Sequence, residues 1–252
     1  MTQHGTPCWY ELVAGPDGAA AAGAFYGALL GWRLTEAGID GQPYALAHLG
    51  GRRVAGISGA GTGPGWLIHV AVADAAATCG LVAELGGAVR HDPTEIPGTG
   101  RFAVLADPQG AAFGILEHAE TPDGPGAFDA ALPGAAAWNE LLTDAPEAAT
   151  AFYARVLGWG AGDVHDMGPA GAYRIMTQGD AQVAGIMTRP DDGRPEWLAY
   201  FGHPDIPGAA RHIADLGGRV TLGPEPVPGG MMVLNATDPT GARFGLVGPA
   251  RD

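Results

Sequence analysis

Residues 9–32 read WYELVAGPDGAAAAGAFYGALLGW, and residues 138–159 read WNELLTDAPEAATAFYARVLGW. Both stretches open and close on Trp, place a Glu two residues after the first Trp, and run through AFY into an LGW ending. Working outward, Tyr44 aligns with Tyr173 and GGRRVAG at 50 with GDAQVAG at 179, all 129 residues apart. Further on the spacing becomes 131: Trp66 with Trp197, Asp74 with Asp205, Gly87 with Gly218, and ADPQGAAFGIL at 106 with TDPTGARFGLV at 237. All six tryptophans fall into pairs, Trp9 with Trp138, Trp32 with Trp159 and Trp66 with Trp197. A long internal repeat of this kind fixes the architecture before any single residue is read. The chain divides into halves at 5–118 and 134–248, joined by 119–133, whose TPDGPG content suits an exposed linker.

Within a half the pattern itself repeats. In the first half CWYELV reads as a strand and GAAAAGAFYGALLG as a helix, with Phe25, Leu29 and Leu30 at helical spacing, and WRLTEA, YALAHLG and RRVAGIS read as three more strands. LIHVAVA, AAATCGLVAELG, GAVRHD, RFAVLA and AAFGILE then repeat strand, helix and three strands. Gly86-Gly87 and Gly217-Gly218 stand where a left-handed residue ends a helix. The expected fold is α+β, with four βαβββ units paired two by two.

Composition narrows the partners. A net charge of −14 with no cluster of Lys and Arg beyond Arg52-Arg53 argues against nucleic acid and anionic membrane. No apolar run approaches the roughly 20 residues of a membrane span, and MTQHGTPCW lacks the basic start and apolar core of a secretory signal, so a cytoplasmic protein is expected. Cys8 and Cys79 sit in no ligand-spaced motif and read as reduced, buried thiols. The 43 Gly and 21 Pro fall mostly between periodic segments, where turns belong. GAGTGPG at 59–65 contains Pro and runs into a strand, unlike a phosphate loop, and no GxSxG or HExxH signature occurs.

The AFYGALLGW and AFYARVLGW helix ends, the LGGxV turns and the DPQGAAFG and DPTGARFG strings resemble the vicinal oxygen chelate superfamily, which holds glyoxalases, extradiol dioxygenases and fosfomycin- and bleomycin-resistance proteins. GTPCW, WNELLTD and FAVLADPQGAAFG are similar to its two-domain glyoxalase-like or hydroxylase type. The resemblance implies two tandem domains, each a curled, mostly antiparallel sheet around a cavity. It also implies a divalent metal held by three side chains per cavity, from the first strand of each unit and a Glu on the last strand. Those positions hold Trp9, Leu67 and Gly114 in the first half and Trp138, Leu198 and Gly245 in the second. None offers a side-chain donor to such an ion, so no metal and no cofactor are expected.

Strand parity decides what shares the face of those positions, because residues two apart point the same way. Trp9 goes with Glu11, Trp138 with Glu140, Leu67 with His69, and Leu198 with Tyr200. An inward carboxylate demands an explanation, either as a hydrogen-bonded structural group or as a functional one. Glu11, His69 and Glu140 are the candidate catalytic residues, with His69 in the first half only. Trp9, Leu67, Trp66 and His48 in the first half, and Trp138, Leu198, Tyr200 and Trp197 in the second, are the candidate lining of a small-molecule site. The expected activity is acid/base chemistry, isomerase, lyase or hydroxylase-like, on a small, partly apolar or aromatic metabolite, in a monomer or homodimer. A ligand-binding or antibiotic-resistance protein without chemistry is the competing expectation, and a metal-dependent glyoxalase or dioxygenase a third.

Overall fold

The computed structural model describes residues 4–38, 43–61, 63–119, 126–190, 193–227 and 229–250. Residues 120–125 of the expected linker therefore lie outside the described residues. The first half runs β1 (Pro7–Val13), α1 (Ala19–Leu30), β2 (Arg33–Glu36), β3 (Tyr44–Leu49), β4 (Arg52–Ser58), β5 (Gly65–Ala71), α2 (Ala75–Glu84), β6 (Ala88–Ile96), β7 (Gly100–Ala106) and β8 (Ala112–His118). The second half repeats it as β9 (Ala136–Thr143), α3 (Pro146–Leu157), β10 (Gly160–Asp166), β11 (Ala172–Gln178), β12 (Ala181–Thr188), β13 (Glu196–Gly202), α4 (Ile206–Asp215), β14 (Arg219–Val227), β15 (Met231–Thr237) and β16 (Arg243–Pro249).

Each half forms one eight-stranded sheet, in the order β2-β3-β4-β1-β5-β8-β7-β6 and β10-β11-β12-β9-β13-β16-β15-β14. In each unit the first strand runs parallel to the last, since a helix must cross between them, and the remaining neighbours within a unit pair antiparallel. The sheets are curled and not closed into barrels, and the four-unit α+β architecture expected from the repeat is what is observed. Parity holds along β1: Cys8, Tyr10 and Leu12 are buried, while Trp9, Glu11 and Val13 are half-buried on the opposite face. In β9 Trp138 and Glu140 are half-buried beside buried Ala137, Asn139 and Leu141.

Compact packing does not follow the halves. One unit gathers residues 1–8, 68–126 and 139–197, and the other gathers 9–67, 127–138 and 198–252. In the second of these, Tyr26 on α1 stacks on Trp32 at 5.3 Å between centroids and meets Trp66 and Phe244 edge-on at 5.3 and 5.4 Å, and Phe201 lies 4.9 Å from Trp66. In the first, Tyr153 on α3 stacks on Trp159 at 5.7 Å and meets Trp197 and Phe113 at 5.2 and 5.4 Å. A buried phenol needs partners. Trp66 Nε1 donates to the Tyr26 hydroxyl and Trp197 Nε1 to the Tyr153 hydroxyl, each at 2.9 Å, and the Tyr153 hydroxyl donates to Asp107 Oδ2 at 3.1 Å.

That Asp is the Asp of DPQG. Its Oδ1 accepts from the backbone N–H of Gln109 and Ala111, as Asp238 Oδ1 accepts from Thr240 and Ala242, which holds the turn whose Gly110 and Gly241 need φ of +97° and +95°. The repeated motif thus shapes a turn and, through Tyr153, ties the β7–β8 turn to α3 within one compact unit. Asp74 and Asp205 cap α2 and α4 through Ala77 and Gly208 N–H, and Gly86 and Gly217 take left-handed φ of +84° and +85° after them. Among the described residues no helix is long and apolar enough to cross a membrane.

Candidate functional site

Two of the expected lining residues lie in the aromatic cores. Trp66 and Trp197 are 7% and 6% exposed, on the helix side of their strands within the two aromatic cores, because their parity is opposite to that of Leu67 and Leu198. Each indole N–H is already spent on a buried tyrosine. Both indoles therefore face the aromatic cores, away from the face that carries Leu67 and Leu198.

The face carrying Trp9 and Glu11 holds a hydrogen-bonded chain. Trp9 Nε1 donates to the Tyr44 hydroxyl at 3.1 Å, and that hydroxyl donates to Glu11 Oε2 at 3.4 Å. The parallel register sets Glu11 opposite Gly56, and Tyr44 reaches across that glycine from β3. A Cβ at residue 56 would overlap the phenol, so the glycine of VAG is what lets the ring lie flat on the sheet. Burial pushes the Glu11 carboxyl up to about 7, with the Tyr44 hydrogen bond pulling in the other direction. Burial, and then the Glu11 charge, push the Tyr44 phenol up as well, so it stays protonated and remains a donor.

The same device recurs at the equivalent position of the second half. Glu140 stands opposite Gly185, and the Tyr173 phenol lies over that glycine. Tyr44 and Tyr173 were not expected as site residues. Their signal was present in the repeat, where the two tyrosines align together with the two VAG glycines.

His69 lies in the other compact unit from Glu11, 3% exposed, with its ring over Gly114, its register partner on β8. Burial pulls the imidazole down to about 4, against a smaller opposing effect of its hydrogen bond to the Ile115 backbone. Such a ring stays neutral near pH 7. Tyr200 lies likewise over Gly245, and both Tyr200 and Leu198 are buried, whereas Leu67 is half-buried. His48 sits on β3 with its Nε2 2.9 Å from Thr35 Oγ1, on the outer side of the sheet order from β1.

These positions do not fit a divalent ion. Trp9, Leu67, Trp138 and Leu198 have no suitable donor, and a side chain at Gly114 or Gly245 would run into the His69 or Tyr200 ring. Among the described residues no group of three His, Cys, Asp or Glu comes together.

Family models match both halves: residues 11–116 match the glyoxalase-like domain, and residues 135–246 match the glyoxalase/bleomycin resistance protein/dioxygenase superfamily. The chain belongs to this superfamily. It is 34% identical to the protein named "Putative glyoxylase CFP32" of Mycobacterium tuberculosis over 98% of this chain and 96% of that one. It is 33% identical to the anthracycline biosynthesis protein DnrV of Streptomyces peucetius, covering 96% of this chain and 93% of that one. Among solved structures of superfamily members, 2,2',3-trihydroxybiphenyl 1,2-dioxygenase from Sphingomonas wittichii has a TM-score of 0.70 at 14% identity, over 99% of this chain and 92% of that chain. The Mn(II)-bound glyoxalase from Novosphingobium aromaticivorans has a TM-score of 0.65 at 16% identity, over 100% and 84%. At these identities the superfamily structures establish the shared fold, and the chemistry rests on this chain's own residues.

Proposed function

We propose that this glyoxalase-fold chain is an acid/base enzyme working without a metal, as an isomerase or lyase on a small planar, oxygenated molecule held against Trp9. The observation that carries the reading is Glu11: a half-buried carboxyl, joined through Tyr44 to Trp9, whose proton affinity lies near neutrality. A carboxyl held at about 7 is present in both forms at working pH, as a group that takes and returns a proton must be. Tyr44 keeps its proton and orients the carboxylate, while the Trp9 indole offers an aromatic surface for stacking. Relatives named for anthracycline biosynthesis are in keeping with a fused-ring, oxygenated ligand. Glu140 with Tyr173 is the corresponding second place, and the small-molecule role is taken to be cytoplasmic.

The test is solvent exchange. EDTA-treated protein in D₂O is incubated with fused-ring ketones bearing a hydrogen next to the carbonyl, and deuterium uptake is followed by mass spectrometry. Catalysed exchange that survives EDTA and falls by about 10²–10⁴ in Glu11→Gln is expected. Loss of exchange on metal removal would dispose of the metal-free reading. Equal, small effects of Glu11→Gln and Glu140→Gln on ligand affinity, with no exchange, would leave a two-site binding protein.

A further inference from the structure

We propose that Arg33 and Arg53, set on either side of His48 on one face of the first sheet, hold a carboxylate or phosphate group, so that the ligand of the Trp9 and Glu11 site is an aromatic molecule with an anionic end. The assignment rests on the reading above for where the ring lies and adds the charge that the ligand carries.

Register makes the cluster, and all of it lies within one compact unit. On β2-β3-β4 the ladders set Arg33 opposite His48 and His48 opposite Arg53, so the three residues share one face of three adjacent strands. A bulge in β4 produces the second pairing: Ala47 stands opposite Ala55, the next residue His48 stands opposite Arg53, and Val54 between them is fully buried. Such an extra residue re-aims the side chain beside it, here Arg53. Alternation along β3 places Tyr44 and His48 on the same face. β1 and β4 run parallel with Glu11 opposite Gly56, so Trp9, two residues before Glu11, and Arg53, three before Gly56, stand toward the same end of that face. The row therefore lies roughly 7–10 Å from Glu11 along the strands, a reach that a fused-ring molecule stacked on Trp9 spans.

Charge and pairing point to an anion. Arg33 and Arg53 are exposed, and His48 between them is half-buried, with its Nε2 2.9 Å from Thr35 Oγ1. Among the described residues neither arginine forms an ion pair, although the chain has 27 acidic against 13 basic side chains and Arg52, the neighbour of Arg53, is paired with Asp129. Glu36 on β2 has the parity opposite to Arg33, and Glu11 is engaged by Tyr44. Two strand spacings separate the arginines, roughly 10 Å at Cα, a gap that two guanidinium groups reaching over His48 close on one oxyanion. The second half supplies the comparison. It keeps the bulge, yet the equivalent row reads Gly160, Thr177 and Gln182, with no charge in it. Cations set side by side on a sheet cost stability, so a row that one half carries and its twin omits calls for a negative partner. A polyanion is disfavoured by the net charge of −14, which leaves a small molecule.

The experiment measures binding to the full chain by calorimetry, with 2-naphthoate, 2-naphthyl phosphate and neutral 2-naphthol as probes that share one ring system and differ in charge. One of the two anions should bind about tenfold more tightly than 2-naphthol at low salt and lose that advantage as salt is raised, and the tighter anion names the oxyanion. Arg33→Gln and Arg53→Gln should each reduce the advantage and together abolish it, with 2-naphthol binding unchanged. Arg155→Gln on α3, which removes the same charge elsewhere, should keep it, and Trp9→Leu should weaken all three probes. Equal binding of the anions and 2-naphthol, or no binding of any naphthyl probe up to its solubility, overturns the proposal. So does an advantage that survives the double substitution or falls as far in Arg155→Gln, and so does loss of 2-naphthol binding in the double substitution. Inorganic phosphate that binds as tightly as 2-naphthyl phosphate, with Trp9→Leu without effect, would make the row a site for a free anion and overturns it too. Because the preference does not depend on turnover, failure of the exchange test above with success here removes the enzyme reading and leaves an anion-selective aromatic site. Catalysed exchange without the preference removes this proposal alone.

Discussion

Replacing Tyr44 by Phe removes one oxygen that serves two partners, and the structure gives the sign of each effect. The hydroxyl donates to Glu11 Oε2 and so favours the charged carboxylate; without it the Glu11 carboxyl, already raised to about 7 by burial, must rise further. The bond is long, 3.4 Å, near the outer limit for a hydrogen bond, so its loss should change proton affinity by less than tenfold, about 1.4 kcal/mol. The same substitution strips the acceptor from Trp9 Nε1, a half-buried donor, and should lower stability by about 1 kcal/mol. Carboxyl ¹³C shifts of ¹³C-Glu-labelled protein, followed from pH 4 to 9, read the first effect. One glutamate of the native chain should titrate near 7 and disappear in Glu11→Gln, and Tyr44→Phe should move that midpoint upward. A midpoint near 4.5 in the native protein, or a downward move in Tyr44→Phe, would refute the assignment of the shift to burial opposed by the phenol.

Three more outcomes follow from the same geometry. Because the Glu11 carboxyl is raised when folded, its contribution to stability is full below 4.5 and declines as pH climbs to about 7; the decline, up to about 3 kcal/mol, should be absent in Glu11→Gln when urea unfolding is compared at pH 4.5 and 8. Tyr153→Phe leaves Trp197 Nε1 and Asp107 Oδ2 without the hydroxyl between them in a buried core, and thermal unfolding should show a loss of about 1–3 kcal/mol. Gly114→Ala drives a methyl into the His69 ring and should destabilise by about 1–3 kcal/mol, and an unchanged denaturation midpoint would mean the ring does not lie where described.

The fold was legible because the signals that specify it are local and were written four times. Helix-ending glycines at 86 and 217, capping aspartates at 74 and 205, and strand alternation through Trp9 and Glu11 each follow from backbone or parity rules that act within a few residues. The site was legible in part. Parity put Trp9 with Glu11, but the ring that joins them comes from β3, 33 residues beyond Glu11, and a cross-strand partner depends on register that a linear pattern does not state. Trp66 and Trp197 are buried in the aromatic cores, since an indole suits a cavity wall and a core equally well and one residue of parity decides which face it takes. The absence of ligand-type residues at 114 and 245 was visible as glycine, while its reason, an aromatic ring lying over each, required the third dimension.

The crossed membership of the units bears on how such a chain can arise and come apart. A fragment ending after residue 118 would keep a complete sheet and yet own only part of each core, with Tyr26 and Trp66 deprived of Phe201 and Phe244, and Phe113 deprived of Tyr153. Its helix side would be an apolar surface whose natural cover is another fragment of the same design, so a gene of half this length would encode an obligate pair. Joining the copies in one polypeptide replaces that encounter with an intramolecular one, at an effective concentration on the order of millimolar for a short tether. It also frees the copies to differ, so that a histidine can stand at 69 where its twin at 200 is a tyrosine, a distinction no symmetric pair of identical chains could hold.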